Sequence, residues 1–155
     1  MQMELDGWRL RLIFSAAHVM IGHAKCGRLH GHDYAISVRL EGEPGPDGVI
    51  MDFGLIKDIV RGITEELDHK FLVGVNNENV SIKGDVVSVR SGESMYQIPI
   101  RDCATLEIEQ TTAEEISKWF SKRLRDQLSR FENIESLSVK VEEGVGQGIW
   151  HSVDL

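Results

Sequence analysis

The segment Cys26-Gly27-Arg28-Leu29-His30-Gly31-His32 concentrates a thiol and two imidazoles within a few positions. A packed core gains nothing from side chains whose polar atoms need partners, and a solvated loop has no need of three metal-binding donors. His30 and His32 are two residues apart, so on an extended segment both rings leave the same face, ~7 Å apart at Cα. Such a pair can converge on one ion. A third donor is at hand in His18, which ends the preceding strand-like segment Trp8 to His18. If the two segments pair antiparallel, the end of the first lies beside the start of the second, and His18 faces His30 and His32. Three imidazoles suit zinc and leave a fourth position for substrate or water, the layout of a catalytic rather than a structural site. His23 competes for the third place, but it follows Gly22 in a loop, and His151 stands alone. Cys26 is either a fourth ligand that closes the site or an unbound base, because a nearby cation lowers a thiol pKa from about 8.5. A second pair, Asp68-His69, ends a helical pattern. Neighbouring residues form a carboxylate–imidazole bond only if the chain turns between them, and a solvated helix end is the plain alternative.

The elements that must position these groups follow from periodicity. Trp8, Leu10, Leu12 and Phe14 alternate with Arg9 and Arg11, which predicts a strand from Trp8 to His18. Tyr34, Ile36, Val38 and Leu40 share one face of a second strand, Asp33 to Gly42. Asp52 is an N-cap for a helix to His69, with Phe53, Ile56, Ile59, Val60, Ile63 and Leu67 as its apolar stripe. Thr111 or Thr112 followed by Glu114 or Glu115 forms a capping box for a second helix, which buries Ile116, Trp119, Phe120, Leu124, Leu128 and Phe131. Glu135 to Gly144 and the final "QGIWHSVDL" read as two more strands, and "DVVSVRSGESMYQIPI" as a hairpin turning near Ser91-Gly92. The order predicts an α+β domain, an antiparallel sheet with two helices on one face. The other face then calls for a partner, so oligomerisation is expected.

Composition bounds the function. The 155 residues suit a single domain, and the 41% apolar content supplies a core. A formal charge of -8 argues against general nucleic-acid or membrane-surface binding but not against a small anion held by a local basic cluster. No apolar run is long enough for a membrane span, and the start of the chain has no signal-peptide pattern, so a cytoplasmic protein is expected. Cys26 and Cys103 form no Cys-x-x-Cys pair; a disulfide is not expected, and Cys103 reads as a half-buried thiol.

Taken together, "FSAAH", "CGRLHGHDY", "MDF", "LDHKFL", "TTAEE" and "VKVEEG" resemble, in order and context, the 6-pyruvoyl-tetrahydropterin synthase family, and most closely its 6-carboxy-tetrahydropterin synthase branch. The resemblance spans nearly the whole chain except roughly residues 76–106, an inserted hairpin region within a single domain of residues 1–155. It implies a tunnelling fold with a four-stranded antiparallel sheet and two helices, assembling into a hexamer as a dimer of trimers with active sites between subunits. It implies zinc on His18, His30 and His32, Cys26 as proton-abstracting thiol, and Asp68 and His69 as the pair that assists proton transfer. Glu143 resembles the carboxylate that anchors a pterin, with Glu142 as the adjacent alternative, and Thr111 and Thr112 resemble the segment beside the pterin ring. Thr111 departs from the family, which often has Pro there. The implied substrate is 7,8-dihydroneopterin triphosphate, with Mg²⁺ as a companion of the triphosphate and Lys25, Arg28 and Lys70 as phosphate contacts. The implied product is 6-carboxy- or 6-pyruvoyl-tetrahydropterin, the first feeding deazaguanine nucleosides of tRNA. Side-chain cleavage to 6-hydroxymethyl-dihydropterin is the alternative, disfavoured because the loop holds Cys26 and no Glu. A pterin- or metal-binding module without turnover and a small metal-dependent hydrolase are the outside readings.

Overall fold

The computed structural model describes Met1 to Leu155. In chain order it forms β1 (Gln2–Leu5), α1 (Gly7–Leu10), β2 (Ile13–His18), β3 (His30–Gly42), α2 (Phe53–Leu67), β4 (Lys70–Gly74), β5 (Val80–Lys83), β6 (Val86–Ser91), β7 (Ser94–Pro99), a 3₁₀ turn (Ile100–Asp102), β8 (Cys103–Leu106), α3 (Ala113–Leu128), β9 (Ile134–Glu142) and β10 (Gly148–Asp154). The α+β class is as expected, but the sheet is not four-stranded. It has seven strands in the order β10-β9-β3-β2-β4-β8, with β1 also paired to β3. Nor is it wholly antiparallel, since β2 pairs β4 and β4 pairs β8 in parallel. Periodicity misses β4 because Phe71, Leu72 and Val73 are all buried, and a strand covered on both sides has no alternation to read.

Two further expectations give way. The strand predicted from Trp8 begins only at Ile13, because Asp6 accepts the Arg9 N–H at 2.9 Å and caps one helical turn. Arg11 then turns the chain with φ 55, and Gly7 seats on the Ile36 backbone, where a Cβ would stand 2.7 Å from backbone atoms. On α2 the cap is Asp52 as predicted, accepting from Leu55 N–H at 2.8 Å, but Phe53 is exposed and the buried stripe starts at Ile56. Thr112, not Thr111, caps α3, accepting the Glu115 N–H.

The core fills the space between the two long helices and one face of the sheet. Ile56, Val60, Ile63 and Leu67 of α2, with Ile116, Phe120, Leu124 and Leu128 of α3, meet Phe14, Tyr34, Ile36, Val38, Leu40, Leu137, Val139 and Val141. The opposite face carries polar groups such as Ser15, Asp33, Arg39 and Lys140, and neither long helix covers it, only the single turn α1 reaching Ser37. The predicted hairpin forms between β6 and β7, with Ser91 paired to Ser94. The strand β5 joins it to make a separate three-stranded sheet, while β8 leaves it for the edge of the large one. A small second core (Val19, Phe71, Val73, Val87 and Val89) fastens the two sheets together.

Candidate metal centre and active site

The β2–β3 register sets His18 directly opposite His30, and the two-residue period puts His32 on the same side. One ring nitrogen from each of the three lies within 4.8 Å of the others. The three residues expected as ligands are therefore brought together, and neither His23, Cys26 nor His151 joins the cluster. His18 is 1% exposed, and its Nδ1 is 2.8 Å from the Thr111 carbonyl oxygen. His30 Nδ1 is 2.7 Å from the Arg28 carbonyl oxygen. A carbonyl only accepts, so both Nδ1 atoms carry the proton, and both Nε2 atoms present a lone pair. These two Nε2 atoms face each other at 3.1 Å. Two lone pairs at that distance repel unless a proton or a cation lies between them. Burial argues against the proton: it lowers the His18 pKa from 6.5 to about 4, and His32 is also lowered, first by burial and then by His30. A neutral imidazole with its tautomer fixed by a carbonyl is the form in which histidine binds a transition metal, and with His32 beside His18 and His30 the donor set fits such an ion.

Cys26 sits four residues before His30, half-buried in the loop between β2 and β3. His23 has a different task from the one considered for it: its Nδ1 accepts the Cys26 N–H at 3.0 Å. Gln110 holds the start of the same loop, accepting the Ile21 N–H at 3.1 Å and donating to the Ile21 carbonyl at 3.0 Å. Lys25 and Arg28 are exposed on this loop. Lys70 instead donates its ammonium to the Arg101 carbonyl, beside β8.

The residues expected to contact a pterin separate. Thr111 is 3% exposed and lies behind His18, its hydroxyl directed to the Val19 carbonyl, so it supports the ligand and does not line the neighbouring groove. That groove is lined by Met20, Thr112, Ala113, Glu114, Glu143 and Gln147, among others. Glu142 is 5% exposed and paired with Lys140 at 3.0 Å, so it neither points into solvent nor is free to take a ligand. Glu143 is half-buried; burial raises its pKa first, His30 pulls it back, and Glu114 raises it again. Tyr34 escaped notice as more than a core residue. Its ring is stacked on Phe14 at 4.8 Å and meets His18 and His32 edge-on. Its buried hydroxyl has no partner, and burial, then Glu143, pushes the phenol pKa up. The signal available in the sequence was its position two residues after His32.

Asp68 and His69 do form the bond that required a turn. His69 adopts φ 57, in the left-handed region where a non-glycine residue is strained, and its Nδ1 is 2.8 Å from Asp68 Oδ2. The Ser15 N–H donates to Asp68 Oδ1 at 2.8 Å, and His69 N–H donates to the Ser15 carbonyl at 2.7 Å. The Asp68 pKa is lowered, above all by the Ser15 N–H. Along β2, Ser15 and Ala17 alternate with Phe14, Ala16 and His18. Alternation puts Ser15, Ala17 and Asp33 on the face of the sheet opposite His18, and His69 borders an open groove with these residues and Gly31, a groove that also reaches His32.

Fold and site together define an α+β protein built around a three-histidine centre with a nearby thiol and a carboxylate-lined groove. The profile of the 6-pyruvoyl tetrahydropterin synthase family matches residues 9–152, and the chain belongs to that family. It is 39% identical over 153 residues to a Methanocaldococcus jannaschii protein provisionally named 6-carboxy-5,6,7,8-tetrahydropterin synthase, covering 96% of this chain and 94% of that one. It is 32% identical over 124 residues to the 6-carboxy-5,6,7,8-tetrahydropterin synthase of Haemophilus influenzae, covering 75% and 81%. Among solved structures, a catalytic-residue variant of Plasmodium vivax 6-pyruvoyltetrahydropterin synthase superposes with a TM-score of 0.91 at 25% identity, over 100% of this chain and 98% of that one. No helix of the chain is long and apolar enough to cross a membrane.

Proposed function

We propose that the protein is a zinc-dependent lyase that converts 7,8-dihydroneopterin triphosphate to 6-pyruvoyl-tetrahydropterin with loss of triphosphate, or, with uptake of water, to 6-carboxy-5,6,7,8-tetrahydropterin with loss of triphosphate and of the two outer side-chain carbons as acetaldehyde. The observation that carries this reading is the facing pair of lone pairs on His18 and His30, closed by His32 and set beside the Cys26 loop. His18, His30 and His32 would hold the ion, which when bound supplies a Lewis acid for the oxygens of the substrate side chain. Cys26, left outside the ligand set, takes a proton from a side-chain carbon as thiolate. Glu143 accepts hydrogen bonds from the pterin amino group and ring N–H, a role open to it because Glu142 is engaged by Lys140. Thr112 flanks that groove, and Lys25 and Arg28 meet the phosphates, with Mg²⁺ as their companion. Asp68 fixes the His69 imidazole, and the pair passes the proton on. Because Ser15, which anchors Asp68, alternates with His18 onto the other face of the sheet, a complete site takes its dyad from a second copy of the chain. That is the function of the uncovered face, and the assembly is a homo-oligomer, a hexamer built from two trimers.

The relatives named for the carboxy product favour that branch, with its outlet in deazaguanine nucleosides of tRNA. The close superposition with a protein named for the pyruvoyl product keeps that product as the second reading. Incubation with 7,8-dihydroneopterin triphosphate and mass analysis of the pterin decides among carboxy, pyruvoyl and hydroxymethyl products. Replacing Cys26 with Ala is expected to lower kcat by about 10²–10⁴-fold with zinc content unchanged. Loss of zinc with the thiol would make Cys26 a ligand and sink its role as base.

A further inference from the structure

The three-stranded sheet β5–β7 stands outside the large sheet, yet two of its side chains reach the loop that carries Cys26 and leads into His30. Ser91, nearly buried at the end of β6, donates its hydroxyl to the Gly27 carbonyl at 2.7 Å. The hydroxyl of Tyr96, on β7, accepts the Leu29 N–H at 3.2 Å. Between these two anchored residues lies Arg28, whose carbonyl is the acceptor for His30 Nδ1. The segment has little slack, since a Cβ on Gly27 would stand 2.4 Å from the His23 carbonyl oxygen and 3.0 Å from Ser91 Oγ. Apolar packing delivers the small sheet to this place: Val87 and Val89 are buried against Val19 and Phe71, with Ile21 and Tyr96 packed on the same cluster.

We propose that Ser91 and Tyr96 are positioning residues of the metal centre. By clamping Gly27 and Leu29 they fix the Arg28 carbonyl, and that carbonyl holds the His30 ring with Nδ1 protonated and Nε2 turned toward the other two imidazoles. The proposal rests on the three histidines being a metal site and deepens that reading. Only one of the ligands depends on the clamp, because His18 is oriented from the opposite side by Thr111. The chain that links β4 to β8 is thus not a passive insertion. It is an outer wall of the site, one step behind the carbonyl that orients His30, and such orienting groups tune metal affinity.

The experiment uses the full chain and zinc itself, with affinity measured by competition against a chromogenic chelator and the Co²⁺ form followed by its visible absorption. Tyr96→Phe removes one oxygen from a half-buried ring and leaves the packing intact. It is expected to weaken zinc binding by about tenfold and to alter the Co²⁺ spectrum, while the metal-free protein melts as the parent does. Ser91→Ala is expected to weaken binding by at least as much. Zinc affinities within about twofold of the parent in both variants, with an unchanged Co²⁺ spectrum, overturn the proposal. If Ser91→Ala also lowers the melting temperature of the metal-free protein, the Tyr96→Phe result decides. A parent protein that binds zinc no better than His30→Ala overturns the metal reading underneath, a result distinct from failure of the clamp.

Discussion

On the helix-covered face of the sheet, His18 and His30 are oriented by the backbone carbonyls of Thr111 and Arg28. On the open face, His69 is oriented by the carboxylate of its own neighbour, Asp68. In both places an oxygen fixes Nδ1, but the chemistry that follows differs. A neutral carbonyl and deep burial keep an imidazole uncharged with a lone pair to offer, which suits a ligand. A carboxylate beside an exposed ring fixes its orientation and tautomer, which suits a group that passes a proton. The sites also differ in how they are built. His18 needs a carbonyl 93 residues away and His30 one only two residues away, whereas the dyad needs one tight turn and the Ser15 N–H, 53 residues from Asp68.

The largest effect that sharpens this contrast comes from paired substitutions. His30→Ala is expected to weaken zinc binding by at least about 100-fold and to abolish turnover with it. His69→Ala is expected to lower kcat by about 10²–10⁴-fold with zinc still stoichiometric. Zinc loss in both variants would erase the distinction between the two faces. Next comes complementation. If the dyad serves the metal centre of another copy, mixed oligomers of Cys26→Ala and His69→Ala chains regain activity, approaching about a quarter of the parent for random mixing. No recovery, in mixtures verified to exchange subunits, would confine each site to one chain.

Smaller effects follow from burial and backbone strain. In the metal-free protein, His18 has a folded pKa of about 4 against an unfolded 6.5, so the unfolded chain takes up the proton first as pH falls. The stability it contributes is therefore complete above about pH 6.5 and is lost as pH drops toward 4, which chemical denaturation at stepped pH reads directly. His69→Gly removes the left-handed strain but adds freedom to the unfolded chain, so stability should move by no more than about 1 kcal/mol while turnover is lost. Thr111→Val is the mildest change. It deletes a hydroxyl 3.2 Å from His18 Nδ1 but leaves the carbonyl at 2.8 Å, so zinc affinity should fall less than about tenfold.

Much of the site is legible along the chain because its parts lie on regular elements. His30 and His32 share a face by strand alternation, His18 meets them by simple antiparallel pairing, and Asp52 and Thr112 announce the helices that cover the core. Where the reading failed, the cause was a local pattern overruled by something distant or unpatterned. Trp8 to Leu12 alternates like a strand, but the Asp6 cap and the seat of Gly7 on Ile36 turn it into a helical turn. The strand β4, buried on both sides, shows no alternation, and with the short strands β1 and β8 it turns the expected four-stranded antiparallel sheet into a mixed seven-stranded one.

The sequence by itself determined which residues could bind a metal, which thiol and carboxylates stood near them, and which apolar faces had to be buried. Those follow from residue chemistry and from periods of two and 3.6 that act over a few positions. Only the tertiary structure decided that Thr111 supports His18 from behind, that Lys140 engages Glu142, that Ser91 and Tyr96 grip the thiol loop, and that Ser15 of β2 anchors the Asp68–His69 dyad. Such pairings join groups far apart in the chain, and packing rather than spacing selects them.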